Sequence, residues 1–155
     1  MSVDQAGGGL AELVAPDGVI PQLRVSSKKQ VLQELARRAA PAVGIAERSI
    51  YDALSDRERV GSTGIGGGVA VPHCRLPGLA RLHGMFARLE RPVPFDAIDG
   101  QPIDLLFLLL APAEAGAEHL KALARAARLL RDKAMCEKLR GANSPDALYA
   151  LLSGS

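Results

Sequence analysis

From Ile103 to Ala111 the chain reads Ile-Asp-Leu-Leu-Phe-Leu-Leu-Leu-Ala, with one acid in nine residues. A run this apolar must be buried on both faces. It is far shorter than the ~20 residues a membrane helix needs. It therefore predicts a central strand with cover on both sides, ended by Pro112. That single expectation pulls the chain toward an α/β layered fold, because such strands occur where helices cover a sheet. At 155 residues there is room for one domain, burying roughly 68–70% of the surface its unfolded chain exposes. Aromatics make up only 3% and Trp is absent, so Leu, Ala, Val and Ile have to build the core.

The other segments fit around this strand. Residues 1–9 end in Gly7-Gly8-Gly9 and read as disordered, and residues 10–152 as the folded domain. Leu10 to Val14 reads as one helical turn stopped by Pro16-Asp17-Gly18. Val19 to Val25 reads as an edge strand because of Pro21. Ser26 or Ser27 caps a helix to Ala40, closed by Pro41, and a second helix runs from Ala46 to Arg59. Leu82 to Leu89 reads as a strand, Cys74 to Ala80 as a loop, and Arg91 to Asp99 as irregular. Ala117 to Leu130 turns helical, with Leu120, Leu123, Ala127 and Leu130 on one face. Lys121, Arg125, Arg128 and Arg131 read as a solvated face. Asp132 opens a helix to Leu139, and Ser144-Pro145-Asp146 starts the last one.

The stretch Gly61-Ser62-Thr63-Gly64-Ile65-Gly66-Gly67-Gly68-Val69-Ala70-Val71-Pro72-His73 carries the candidate chemistry. Glycines bring backbone N–H groups close to an anion, and Ser62 and Thr63 add hydroxyls. Pro72 fixes its own φ and biases Val71 toward extended geometry, so His73 projects from a rigid edge. Neutral imidazole is a competent nucleophile at neutral pH. The reading is a phosphate site with His73 as nucleophile and Ser62, Thr63, Gly64, Gly66 and Gly67 around the phosphate. The loop is not a Walker A, since no Gly-Lys-Ser/Thr follows. Nor is it a dinucleotide fingerprint, since Val69 stands at the third glycine position.

Arg57, just before the loop, is either a solvated helix-end cation or a fork donor to phosphate. The sequence does not choose between Arg57 and Arg59. His119 opens a helix beyond the end of the central strand, where ligands of open α/β sheets gather. His83 lies inside a strand and reads as structural. His73, Cys74, His83 and His119 match no zinc spacing, and the pattern calls for no cofactor. Cys74 and His73, neighbours on extended chain, point apart, which argues against a thiol dyad. Cys74 and Cys136 form no C-x-x-C pair and read as reduced thiols. Met1 to Gly9 lacks the basic and apolar regions of a signal peptide. The expectation is a cytoplasmic protein. A net charge of +2 implies neither nucleic acid nor membrane as partner.

Together these residues resemble the enzyme IIA proteins of the bacterial phosphotransferase system, mannitol/fructose-like class. The pattern stands as Arg57-Glu58, Gly61 to Gly66, Val69-Ala70-Val71 and Pro72-His73, with His119-Leu120 opening a later helix. The stretch from Phe95 to Phe107 is most similar to the nitrogen-regulatory type. The resemblance implies a mixed sheet flanked by helices. It implies that His73 takes a phosphoryl group on Nε2 from a small histidine-phosphorylated, HPr-like carrier, with Arg57 and His119 holding it. It implies regulated partners such as sensor kinases or potassium transporters. Two alternatives stay open: a fructose/mannitol-type relay to a IIB domain for sugar uptake, and a non-catalytic anion-binding module. Cys74 departs from the family, which commonly has a small residue, often Gly, there.

Overall fold

The computed structural model describes residues 9–154, so all but Gly9 of the expected disordered N-terminus lies outside the described residues. The apolar run forms β6 (Ile103–Pro112), and the sheet is built on it. On one side β6 pairs antiparallel with β5 (His83–Val93), which pairs parallel with β1 (Val14–Leu23) at the edge. On its other side β6 pairs parallel with β3 (Val69–Ala70) and then β4 (His73–Leu76). These two are one line of chain interrupted at Val71-Pro72. β2 (Gly64–Gly66) adds antiparallel to β3 only. Past the end of β2, β4 is therefore the outer strand.

Side chains of β6 alternate between two cores. Leu106, Leu108 and Leu110 face α1 (Lys28–Val43) and α2 (Glu47–Val60). Leu105, Phe107 and Leu109 face α3 (Ala117–Arg131), α4 (Lys133–Gly141) and α5 (Pro145–Ser153). This is the mixed α/β sheet flanked by helices that the resemblance implies. The caps fall where the sequence places them. Ser27 accepts from Gln30 N–H, Asp132 from Ala134 and Met135 N–H, and Ser144 from Ala147 N–H, which satisfies donors the first helical turn leaves unpaired.

Several boundaries differ from expectation. The turn after Leu10 does not become a helix. β1 begins at Val14 and carries Pro16 and Asp17 on a bulge, where the four residues between Val14 and Val19 oppose the one between Gly84 and Phe86 on β5. At a sheet edge the missing proline N–H costs no ladder bond. Pro41 does not close α1; it lies within the helix, which ends at left-handed Gly44. Cys74 to Leu76 is strand rather than loop, and β5 runs on to Val93. On α3 the buried face is His119, Ala122, Ala126 and Leu130, while Leu120 is 65% exposed. The core thus takes the face one residue earlier than the leucines suggest.

Candidate functional site

His73 opens β4 beside Leu109, with Cys74 beside Leu110. Strand alternation sends Cys74 into the α1/α2 core and His73 toward the opposite layer. Burial pushes the Cys74 thiol up to about 12, so it carries no thiolate at neutral pH. His73 sits half-buried at the open edge where α2 and α3 approach from the two layers. A cleft of about 370 Å³ is lined there by Ala53, Arg57, His73, Cys74, Arg75 and His119.

The two nitrogens of His73 are distinguished by their partners. Nδ1 lies 2.9 Å from the Val71 carbonyl oxygen. A carbonyl only accepts, so Nδ1 carries the proton and Nε2 keeps its lone pair. Arg57 Nε donates to that Nε2 at 3.2 Å, and Arg57 Nη1 to the Gly61 carbonyl at 2.7 Å. Burial, then the Arg57 charge, holds the His73 pKa below the ordinary histidine value, against opposing effects of Val71 and Glu58. The ring is therefore neutral and nucleophilic at neutral pH. Arg59 turns away and pairs with Asp56, so geometry makes the choice the sequence left open.

His119 is 5% exposed, and neither of its ring nitrogens has a hydrogen-bond partner among the described residues. Its ring stands edge-on to His73, centroids 5.7 Å apart and planes at 79°. Burial, His73 and Arg75 all hold it below the usual histidine pKa. A buried imidazole without partners is unusual and costly.

The glycine loop is not wrapped around His73. Gly66, Gly67 and Gly68, all at positive φ, form the tip of the β2–β3 hairpin. The end of that tip, Gly68, lies five residue steps of near-extended chain, roughly 16 Å, from His73. Gly67 N–H donates to Asp99 Oδ2 at 3.0 Å. The Gly67 carbonyl accepts from Arg140, itself held by two bonds to Asp104. Ser62 and Thr63 are nearer but committed elsewhere. The Ser62 hydroxyl donates to the Phe95 carbonyl at 2.6 Å and accepts from Gly64 N–H. The hydroxyl and N–H of Thr63 both donate to Glu58. Gly64 packs so closely on Ala97 that a Cβ would come within 2.7 Å of it. None of the motif's small residues lines the cleft, which brings together His73, His119 and Arg57. Glu58, part of the Arg57-Glu58 pattern, carries no signal of its own in the sequence that would reveal its bonds to Thr63. Arg75, two residues along from His73 on the same strand face, was missed; period-two spacing alone would have pointed to it.

Residues 12–155 match the family model described as phosphoenolpyruvate-dependent sugar phosphotransferase system, EIIA 2. The chain belongs to this family. It is 54% identical over 144 residues to a nitrogen regulatory protein of Bradyrhizobium diazoefficiens, covering 93% of this chain and 94% of that one. Its structure superposes on the nitrogen regulatory protein IIA-Ntr of Neisseria meningitidis with a TM-score of 0.87 at 34% identity, covering 96% and 99% of the two chains. It also matches the mannitol enzyme IIA of Escherichia coli, in a complex with its phosphorylated IIB enzyme, with a TM-score of 0.77 at 18% identity and coverage of 92% and 100%. That last likeness is one of fold. Within the family the chain groups with the nitrogen-regulatory type.

Proposed function

We propose that His73 Nε2 accepts a phosphoryl group from a histidine-phosphorylated HPr-like carrier, and that the phosphorylation state signals to partner proteins in the cytoplasm. One observation carries this reading: an unprotonated Nε2 stands in a cleft between an arginine and a buried histidine with two unpartnered nitrogens. Phosphoryl transfer leaves a protein mainly positioning and charge stabilisation to supply. The Nε2 lone pair attacks phosphorus in line with the carrier's imidazole nitrogen. The new N–P bond forms as the old one breaks, and the carrier's ring leaves with the electron pair. Nδ1 keeps its proton on Val71, so the product ring is a phosphoimidazolium until that proton is lost. Arg57 Nε leaves Nε2 as the phosphoryl arrives and turns its fork to the oxygens. His119 offers a ring N–H to the same group.

The phosphoryl group brings about −1.5 to −2 of charge, the range of a phosphorylated side chain, to this cleft. A change of that size at a docking surface alters which partners fit. The likeness to nitrogen regulatory proteins favours this regulatory role. The fold shared with a mannitol IIA that docks a IIB enzyme keeps sugar relay as the second reading.

Intact-mass analysis after incubation with the phosphorylated carrier tests the proposal. The expected result is one acid-labile phosphoryl group on the wild type and none on His73→Ala. No modification of either, beside a modified family member as control, overturns it in favour of an anion-binding module. Fast onward transfer to a sugar-specific IIB domain would favour the second reading.

A further inference from the structure

The Glu58 carboxylate is 5% exposed and sits one residue from Arg57 in the last turn of α2. A buried carboxylate has to be compensated, and this one is, on every side. It accepts the Thr63 N–H at 3.2 Å and the Thr63 hydroxyl. It pairs with Lys28 Nζ at 3.0 Å, and Lys28 also reaches Asp96 at 3.4 Å and lies over the Phe95 ring at 4.7 Å.

The clamp on Thr63 continues to the acceptor. The Thr63 carbonyl accepts from Val71 N–H at 2.9 Å. The Val71 carbonyl in turn accepts from His73 Nδ1 at 2.9 Å. On the other side of Glu58, Arg57 reaches both Gly61, the first residue of this loop, and His73 Nε2. Both groups that hydrogen-bond the His73 ring are therefore hung from the turn that Glu58 ties together. We infer that Glu58 is the positioning residue of the acceptor: by clamping Thr63 it sets the Val71 carbonyl that keeps the proton on His73 Nδ1 and leaves Nε2 free to attack. This rests on the reading of His73 as phosphoacceptor.

The orienting group of an imidazole decides which nitrogen is available for chemistry. Pro72 makes the Val71 carbonyl's direction stiff, but proline fixes only its own φ and restricts the residue before it. Beyond the Leu109 N–H that holds the Pro72 carbonyl at 3.0 Å, Val71 is fixed by its own N–H bond to the Thr63 carbonyl. A loosened Thr63 lets that peptide rotate, and the Nδ1 acceptor goes with it.

Two measurements on the full-length chain test this together: long-range nitrogen–proton NMR of the His73 ring at a pH where it is neutral, and the rate of phosphoryl uptake from the carrier. The wild type is expected to show a single Nδ1–H form. Glu58→Met keeps the side-chain length and removes both acceptor oxygens. It should give mixed tautomers and transfer slowed about tenfold or more, as small misplacements of a reacting group do. Glu58→Gln keeps an oxygen for the Thr63 N–H and should restore the single tautomer and most of the rate. Should Glu58→Met fail to fold, the double variant with Thr63→Val removes the stranded hydroxyl and should show the same mixed ring. A folded Glu58→Met or double variant with one Nδ1–H form overturns the inference, and so does a mixed ring with undiminished transfer. The tautomer measurement needs no carrier. Failure of the phosphoacceptor reading would instead appear as an unmodified wild type with the NMR pattern intact.

Discussion

All three histidines are held below the ordinary histidine pKa, in each case first by burial. For His73 and His119 this keeps the two rings of the cleft neutral at neutral pH. It also makes folding depend on pH. The unfolded chain, with histidines near ~6.5, binds more protons than the native state just below that pH. Stability rises with pH wherever that is so. The contribution of these rings is therefore fully present above about pH 6.5 and is lost as pH falls through the lower native values. The urea midpoint should fall steadily between about pH 7 and pH 5. His119→Phe, which replaces a ring without partners by one that cannot titrate, should flatten that fall. A midpoint independent of pH in the wild type would contradict it. At this scale the sequence was legible for His73, because Pro72 and the glycines before it are a rare combination. His119 could be placed beyond the central strand from the sequence, but its burial could not be read there. Nor was the sequence legible for the choice between Arg57 and Arg59, two residues apart on a helix and so on different faces.

Among elements, the central strand and the capped helices could be read directly, since burial on both faces and hydroxyl or carboxylate caps are local signals. What could not be read was where proline is harmless. Pro16 rides an edge bulge and Pro41 the last turn of α1, and both positions depend on neighbours distant in sequence. The glycine run, too, is shaped by residues distant in sequence. It looks like an anion loop, yet it is a hairpin tip fastened by Asp99, Asp104 and Arg140. This separates two functions that one motif seems to merge. Arg140→Ala frees the tip from α4. The pair is about a third exposed, Arg140 35% and Asp104 26%, so screening limits the loss to about 1 kcal/mol. The urea midpoint should drop accordingly, while the rate of phosphoryl uptake at His73 stays within about twofold, since transfer depends on charge and position close to the reacting group. Uptake slowed in step with Gly67→Ala would place the tip within the phosphate site after all.

At the scale of the molecule, the two ends of the described chain close one core. Leu10 N–H donates to the Leu152 carbonyl at 2.7 Å, and Arg125 holds the Gly9 carbonyl. Leu10, Leu13 and Val14 share a cluster with Leu148 and Leu152 of α5 and with Leu105, Phe107 and Leu109 of β6. That same strand face carries His73 beside Leu109. The layer that seats His119 is thus completed by the last helix, although α5 contributes nothing to the cleft. Leu148 and Leu152 are 0% and 1% exposed, worth about 1.5–3 kcal/mol each when buried. Removing residues 144–155 forfeits that burial and uncovers Leu10. The loss, about 3–6 kcal/mol, is comparable with the whole stability of an ordinary domain, about 5–15 kcal/mol. The shortened chain should therefore unfold at much lower urea or not cooperatively at all. It should accept phosphoryl only to the extent that it remains folded, since α3 packs on the same core. A shortened chain with an unchanged midpoint would make α5 an appendage. The continuity of the core from Leu10 through β6 to Leu152 argues that the molecule stands or falls as one unit.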